Sequence, residues 1–429
     1  MVSVSQNDNL NQCADAEEQA VVKAEGAASG PMIRAINAIG RALAAEFPHV
    51  LLHTLAYDYT EQPPKVTKPL PSVVVQVASS GIGDPRIQAW GRVCRQIFVW
   101  DYWVNFKHFV QPYPNYYHLG PNIQWYHSNG VSGMYEEGDG WGTGGELDAL
   151  KAYLIEEMLW DPTQVPELLI AEFLSAYYGE SAVFVEQYME RMHEALLDAA
   201  PYKLTNADEP TAPFLSPDAL LTSVALLKKG AAVVTTDIRR VRMETMQLAV
   251  YYPILLRWTE MRAFAANRSM HMVWPLEPTA AAALVTFTRY STQINLTNLM
   301  EPDSNYSPPR HDLSWFAKQV HCNCSWDLPC CQKQACCGGP PPPAPSPPLP
   351  PPPGPASSVT ITAMSAPTLI YGEVHKLAAT GMAKFVSSQA MLVVDGSVLT
   401  DCLWLCNVAG TDPVQVPGWP TLRKLSNHV

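Results

Sequence analysis

Acidic side chains close apolar, strand-like runs in three separate parts of this sequence. Asp8 ends the run from Val2, Asp101 ends Ile97-Phe98-Val99-Trp100, and Glu136 with Glu137 ends the run from Val131. Cleaving a glycosidic bond takes one protonated carboxylic acid for the leaving oxygen. It also takes a second carboxylate that activates water or attacks the sugar. Asp8, Asp101 and Glu136 are the catalytic candidates on that chemistry. Side chains alternate across a strand, so only one of Glu136 and Glu137 faces a given side. Aromatic rings stack on the apolar faces of sugars while polar groups fix the hydroxyls. Tyr57, Tyr59, Trp100, Tyr102, Trp103, Trp125 and Trp141 flank the same run ends. Tyr57, Trp100, Trp103, Asn105, His108 and Glu137 are the substrate-binding candidates. The plainer alternatives are helix capping or pairing with Arg for the acids, core packing for the rings, and loop structure for Asn105 and His108.

The elements that must position these residues alternate between strand and helix. Strands are expected over 2–8, 50–57, 73–77, 97–101 and 131–136. Ser29-Gly30-Pro31 opens a helix that carries Ile33, Ile36, Gly40, Leu43 and Phe47 and stops at Pro48. Asp84-Pro85 opens another through Arg95, Pro121 to Ser128 forms a short one, and Glu146 to Trp160 a longer one. Residues 59–71 form a Pro-rich loop and 102–118 an aromatic one. Five strands joined by four crossovers make an α/β fold with a parallel sheet. We expect the C-terminal part, strands four to eight, of a (β/α)8 TIM barrel, because such barrels keep their chemistry at the C-terminal ends of the strands. An open doubly wound sheet is the alternative. A whole barrel takes eight strands and about 250 residues. The first three strands are therefore expected to be missing, leaving a chain that is poorly soluble and inactive alone.

Residues 1–160 read as the partial barrel and 161–320 as a helical domain. Ser216-Pro217-Asp218 starts a helix. The stripe Leu220, Val224, Leu227, Ala231, Val234, Ile238, Val241 and Leu248 predicts one long helix packed on its own bundle, with a coiled-coil dimer as the alternative. Residues 321–339 are Cys-rich. Their adjacent cysteines favour disulfides over zinc, since the paired CxxC spacing of a zinc site is missing. Residues 340–355 form a polyproline spacer of roughly 50 Å. Residues 356–429 stay unassigned, with β-like runs at Val359 to Ile361 and Ala390 to Val394.

The chain has 429 residues, 47% of them hydrophobic, and a formal net charge of −12. That charge argues against nucleic acid or an anionic membrane as partner. No apolar run near the ~18 residues of a membrane span is evident, and no secretory signal opens the sequence. Sequons at Asn267, Asn295, Asn305 and Asn323, with the cysteine cluster, point to an extracellular or secretory setting. The Gly138 to Gly145 stretch lacks the GK[ST] ending of a phosphate loop, and no GxSxG elbow occurs. No cofactor and no metal are expected.

Several runs resemble a known family: VSVSQNDN (2–9), EGAASGPMIRAINAIGRALAAEFPHVLLHTLAYDYTEQPP (25–64), IFVWDYWVNF (97–106), LGPNIQWYHSNGVSGMYEEG (119–138) and ELDALKAYLIEEMLWDP (146–162). In that order they look like domain-of-unknown-function family 4838, over about residues 1–260. That family belongs to the TIM-barrel glycosidase clan and is similar to the α-glucuronidases of glycoside hydrolase family 67. The Pro-rich spacer resembles those of green-algal extracellular and wall proteins. The resemblance implies a barrel with a helical C-terminal domain, carbohydrate as substrate and an inverting mechanism. Asp8 takes the strand-four position, where those relatives use the longer Glu, and Asp101 and Glu136 fit the later positions. The expected function is a glycoside hydrolase-like protein acting on cell-wall or extracellular polysaccharide. The alternative is a non-catalytic carbohydrate-binding or wall-matrix protein that keeps the barrel.

Overall fold

The computed structural model describes residues 1–79, 81–267, 273–302, 312–322 and 389–393. The Cys-rich segment beyond Cys322, the polyproline run, Val359 to Ile361, Asn305 and Asn323 lie outside the described residues. One sheet organises the N-terminal part. Its strands are β1 (Val2–Ser3), β2 (Leu52–Ala56), β3 (Val73–Ala78), β4 (Gln96–Tyr102), β5 (Val131–Glu137) and β6 (Gln389–Val393). They neighbour one another in chain order. β1 to β5 are parallel, and β6 joins the edge of β5 antiparallel. Each parallel strand is added on the same side of the last, without the reversal that defines a doubly wound sheet.

Local chemistry explains the crossovers. α1 (Ala16–Glu25) starts where Asp15 accepts from the amides of Glu17 and Glu18, and it ends at Gly26, whose φ of 67° suits glycine. α2 (Ser29–Leu43) follows and buries Ile33 and Ile36. α3 (Pro85–Gly91) has Asp84 as cap and Pro85 in its first turn. α4 (Tyr116–Ser128) carries Pro121 inside. β2 reaches β3 through a Pro-rich loop with one short turn at Asp58–Thr60. Every residue of β3 is buried, as expected for a strand inside a parallel sheet.

The sheet has two chemically distinct faces. Leu52, Val73, Val75, Val77, Ile97, Val99 and Met134 lie on one and join a single apolar core with Ile33 and Ile36 of α2, Trp90 of α3 and Ile123 and Tyr126 of α4. Alternation places His53, Gln76, Phe98, Trp100, Tyr102, Tyr135 and Glu137 on the other. There, Ser3 Oγ meets His53 Nδ1 at 2.9 Å, His53 Nε2 meets Gln76 Oε1 at 2.6 Å, and Gln76 Nε2 donates to the Val99 carbonyl at 3.1 Å. The chain ties four strands, β1 to β4, together.

The rest of the described chain is helical: α5 (Asp148–Trp160), α6 (Pro166–Tyr178), α7 (Ala182–Asp198), α8 (Pro217–Val233), α9 (Asp237–Leu256), α10 (Trp258–Ala266), α11 (Ala280–Gln293) and α12 (Leu313–Cys322). α9 is the centre of this layer, with every residue from Met246 to Leu255 buried.

Several expectations need correction. The run from Val2 to Asp8 forms a strand only at Val2–Ser3, because β1 is an edge and the polar residues beyond Val4 leave the ladder. The long striped helix is two helices. Val234 is extended, and Thr236 caps α9 by accepting from the Arg239 amide. α1 has no counterpart in the sequence reading. The stretch Pro166–Asp198 is long and apolar enough by composition to cross a membrane, contrary to expectation. It breaks at Gly179 (φ 56°) into α6 and α7, and both bury residues in the core.

Candidate functional site

The ends of β4 and β5 pair residue for residue: Trp100 with Tyr135, Asp101 with Glu136, Tyr102 with Glu137. This register sends the predicted acids to opposite sides. Glu137 lies with Trp100, whose Nε1–H donates to its Oε2 at 2.7 Å. Trp100 also meets the Tyr135 ring edge-on, with centroids 4.4 Å apart. Burial raises the Glu137 pKa against the Trp100 hydrogen bond, and the charge of Glu301 raises it further. Burial raises the Tyr57 hydroxyl pKa too, and the charges of Asp8, Asp58 and Glu137 add to it. The same causes act on Tyr102, which feels Tyr57, Glu137 and Asp8. Tyr57, Trp100, Tyr102, Glu137, Asp8 and Glu301 therefore form one neighbourhood at the C-terminal end of the sheet. Asp8 is exposed there, in the loop after β1, whose Gln6 donates to the Tyr57 carbonyl at 3.0 Å.

Asp101 and Glu136 form a separate pair on the helix-covered face. Asp101 Oδ1 accepts from the Tyr102 amide at 2.8 Å, and Oδ2 from the Tyr126 hydroxyl of α4 at 2.9 Å. Burial pushes the Asp101 carboxyl up to about 6 despite these donors. Burial first, and then the charge of Asp101, pushes Glu136 well above the usual carboxylate range. Adjacent strands stand about 4.8 Å apart, so two in-register acids on one face repel and share a proton.

Trp103 is buried, and its indole N–H donates to the Glu136 carbonyl at 3.3 Å. A Cβ on Gly138 would fall 2.1 Å from the Trp103 ring, so glycine is what lets the β5 loop pass over it. Asn105 and His108 are buried and committed elsewhere. Asn105 Nδ2 donates to the Asp208 carbonyl at 2.7 Å. His108 contacts the Tyr252 hydroxyl at 2.8 Å and Glu209 at 3.2 Å. Burial lowers the His108 pKa, and the His108 hydrogen bond leads the causes that hold Glu209 down to about 2. These two residues dock the aromatic loop onto the helical layer. The amide of Phe106 donates to Asn206, that of Phe109 to Leu299 and that of Glu301 to Phe106, tightening the same contact.

The β5–α5 junction holds another acidic group. Lys151 and Glu146 are both buried, with Nζ 2.8 Å from Oε2; Lys151 also donates to the Tyr113 carbonyl and Tyr188 to Glu146. Asp139 and Asp148 lie close by. Burial lifts Asp139 to about 6, and burial with the charge of Asp139 lifts Asp148 to about 7. Among the described residues, no group of three or more His, Cys, Asp or Glu side chains is placed to hold a metal ion.

Two contributors escaped sequence reasoning. Tyr126 sits in a helix whose apolar pattern marks it only as core. Glu301 comes from the helical part, far along the chain, and nothing near it in sequence signals the sheet. A small apolar hollow between α4, β5 and α5 is lined by Ile123, Val131, Met134 and Met158.

No curated protein and no solved structure matches the chain. A family match runs over residues 1–190, through the parallel strands β1 to β5 and helices α1 to α6 and into α7, and stops short of the 260 expected from the motifs. Residues 1–190 of this chain belong to the domain of unknown function family DUF4838.

Proposed function

We propose that the chain is a carbohydrate-directed, glycoside hydrolase-like protein acting on cell-wall or extracellular polysaccharide, and that its sheet is the strand-four-to-eight arc of a (β/α)8 barrel. The unreversed order of five parallel strands supports the barrel. One observation carries the function: Glu137 stands at the C-terminal end of β5 with a burial-raised pKa, gripped by Trp100 and faced by Tyr57, Tyr102 and Asp8. A raised carboxyl pKa keeps the proton that a departing sugar oxygen must receive. The Trp100 N–H fixes the orientation of the carboxyl group. Asp8 and Glu301 supply the further carboxylates from which a water-activating base is drawn. Asp101 and Glu136, turned under α4, act as a proton-sharing brace. An α-glucuronidase-like specificity is the narrower form of this reading. Exposed Asn267 and Asn295, each in a sequon, support an extracellular setting.

The test is sugar release from glucuronoxylan and algal wall polysaccharides. Wild type is expected to release sugar. Glu137→Gln is expected to stop release while sugar binding persists. Binding without any release by wild type favours the non-catalytic carbohydrate-binding alternative, and neither binding nor release overturns both.

A further inference from the structure

Trp141 is the one predicted ring at these strand ends that is left largely open. Its side chain is 53% exposed, whereas Trp103 is buried and Trp100 is spent on Glu137 and Tyr135. Exposure of a large ring is ordinary on a mobile loop. Here the backbone beneath the ring is fixed from several directions. Asp139 Oδ1 accepts from the amides of Trp141 and Gly142, at 2.9 and 2.8 Å. Asn298 Nδ2 donates to the Trp141 carbonyl at 2.5 Å. Gly142 runs so close to Asn298 that a Cβ would lie 2.8 Å from the Asn298 carbonyl oxygen. Thr143 Oγ1 donates to the Ile294 carbonyl at 3.0 Å, which anchors the next turn.

The anchor is made at a cost. Asp139 is only 8% exposed, and its Oδ2 has no hydrogen-bond partner. Burying a carboxylate with an idle oxygen is unfavourable. That cost goes into fixing the backbone that carries the exposed ring. An exposed ring on a loop fixed beforehand saves the loop-ordering entropy that binding otherwise has to offset.

Place decides the ligand. Trp141 stands four residues beyond Glu137, on the loop leaving the end of β5, and Asn298 belongs to the same segment as Glu301. The loop that carries the ring therefore joins the β5 end to the segment that supplies Glu301. We infer that Trp141 is a stacking platform for a second sugar unit, one removed from the unit held at Glu137, so that the site takes an oligosaccharide or polysaccharide rather than a free monosaccharide. This inference rests on the carbohydrate reading above. The apolar face of a pyranose lies on the indole, whose backbone is already fixed in place.

The experiment measures binding of the whole chain to a glucuronoxylan-derived tetrasaccharide and to free glucuronic acid. Wild type is expected to prefer the tetrasaccharide. Trp141→Ala is expected to lower that preference about tenfold, and Trp141→Phe to restore part of it. The thermal midpoint of each variant is read alongside, and the ring's exposure predicts that it stays close to wild type. Wild type that binds sugar, with the preference unmoved in Trp141→Ala, overturns the platform alone. Wild type that binds neither sugar overturns the carbohydrate reading and the platform with it.

Discussion

The two sides of the β4–β5 strand ends hold the same side-chain chemistry and put it to different uses. On the helix-covered side, Asp101 and Glu136 are enclosed, and the oxygens of Asp101 are satisfied from within by Tyr126 and the Tyr102 amide. On the other side, Glu137 has one strong donor, Trp100, and its remaining neighbours are tyrosines and the carboxylates Asp8 and Glu301. One residue of register separates the two situations. A strand-end acid is thus marked for chemistry by the side it faces and by the bonding capacity it keeps, more than by its position along the strand.

The sharpest way to break this comparison is to neutralise each side in turn. Glu137→Gln keeps the shape and the Trp100 contact but removes the proton. If Glu137 is the acid, sugar release falls by about 10²–10⁴-fold, while Glu136→Gln keeps most of it. The reverse pattern, with Glu136→Gln inactive and Glu137→Gln active, would transfer the chemistry to the enclosed pair.

Stability is expected to follow the opposite division. Lys151 is buried with Glu146 under the β5 loop, on the helical side. Lys151→Met strands Glu146 with the Tyr188 hydroxyl as a donor but no countercharge, and the cost is about 3–5 kcal/mol. Denaturant unfolding should show a large drop in midpoint. Tyr126→Phe is milder. It takes the hydroxyl from Asp101 Oδ2 and costs about 2 kcal/mol. An unchanged midpoint in Tyr126→Phe would mean that the pair does not brace α4.

Much of the sheet was legible because β3 and β4 are runs of β-branched and aromatic residues, and β2 and β5 are short, largely apolar stretches between turn residues. The acids at their ends were equally plain. Which of Glu136 and Glu137 faces the site was not, since that depends on which face the helices cover, and helix placement is a tertiary fact. α1 was missed because it has no apolar stripe. It is held instead by Glu25, fully buried, which binds Arg34 and accepts from Thr67, 42 residues away. No local pattern encodes a polar contact over that distance. His108 and Asn105 looked like sugar-binding groups because their partners, Tyr252 and Asp208, lie in a region the motif could not reach. The break at Val234 was hidden because apolar spacing runs on through it, while Thr236 caps the Arg239 amide and starts a new helix there.

The smallest expected effect is a pH dependence that isolates the enclosed pair. Asp101 and Glu136 both bind protons more tightly folded than unfolded. Below the unfolded carboxylate value of about 4, both states are protonated and the pair imposes no penalty. As pH rises through that value, the unfolded chain loses its protons first. Folding stability then falls, and the Asp101 share is complete once pH passes its folded value of about 6. Asp139 and Asp148 titrate in the same window, so the difference between two proteins is the informative quantity. Glu136→Gln has no proton to lose at that position and no charge to set against Asp101. Its thermal midpoint should fall less than that of wild type between about pH 5 and pH 8, with a gap of about 1 kcal/mol at the upper end. Parallel curves for the two proteins would mean that Glu136 binds its proton no more tightly in the folded chain than in the unfolded one, and the contrast between the two faces would lose its electrostatic basis.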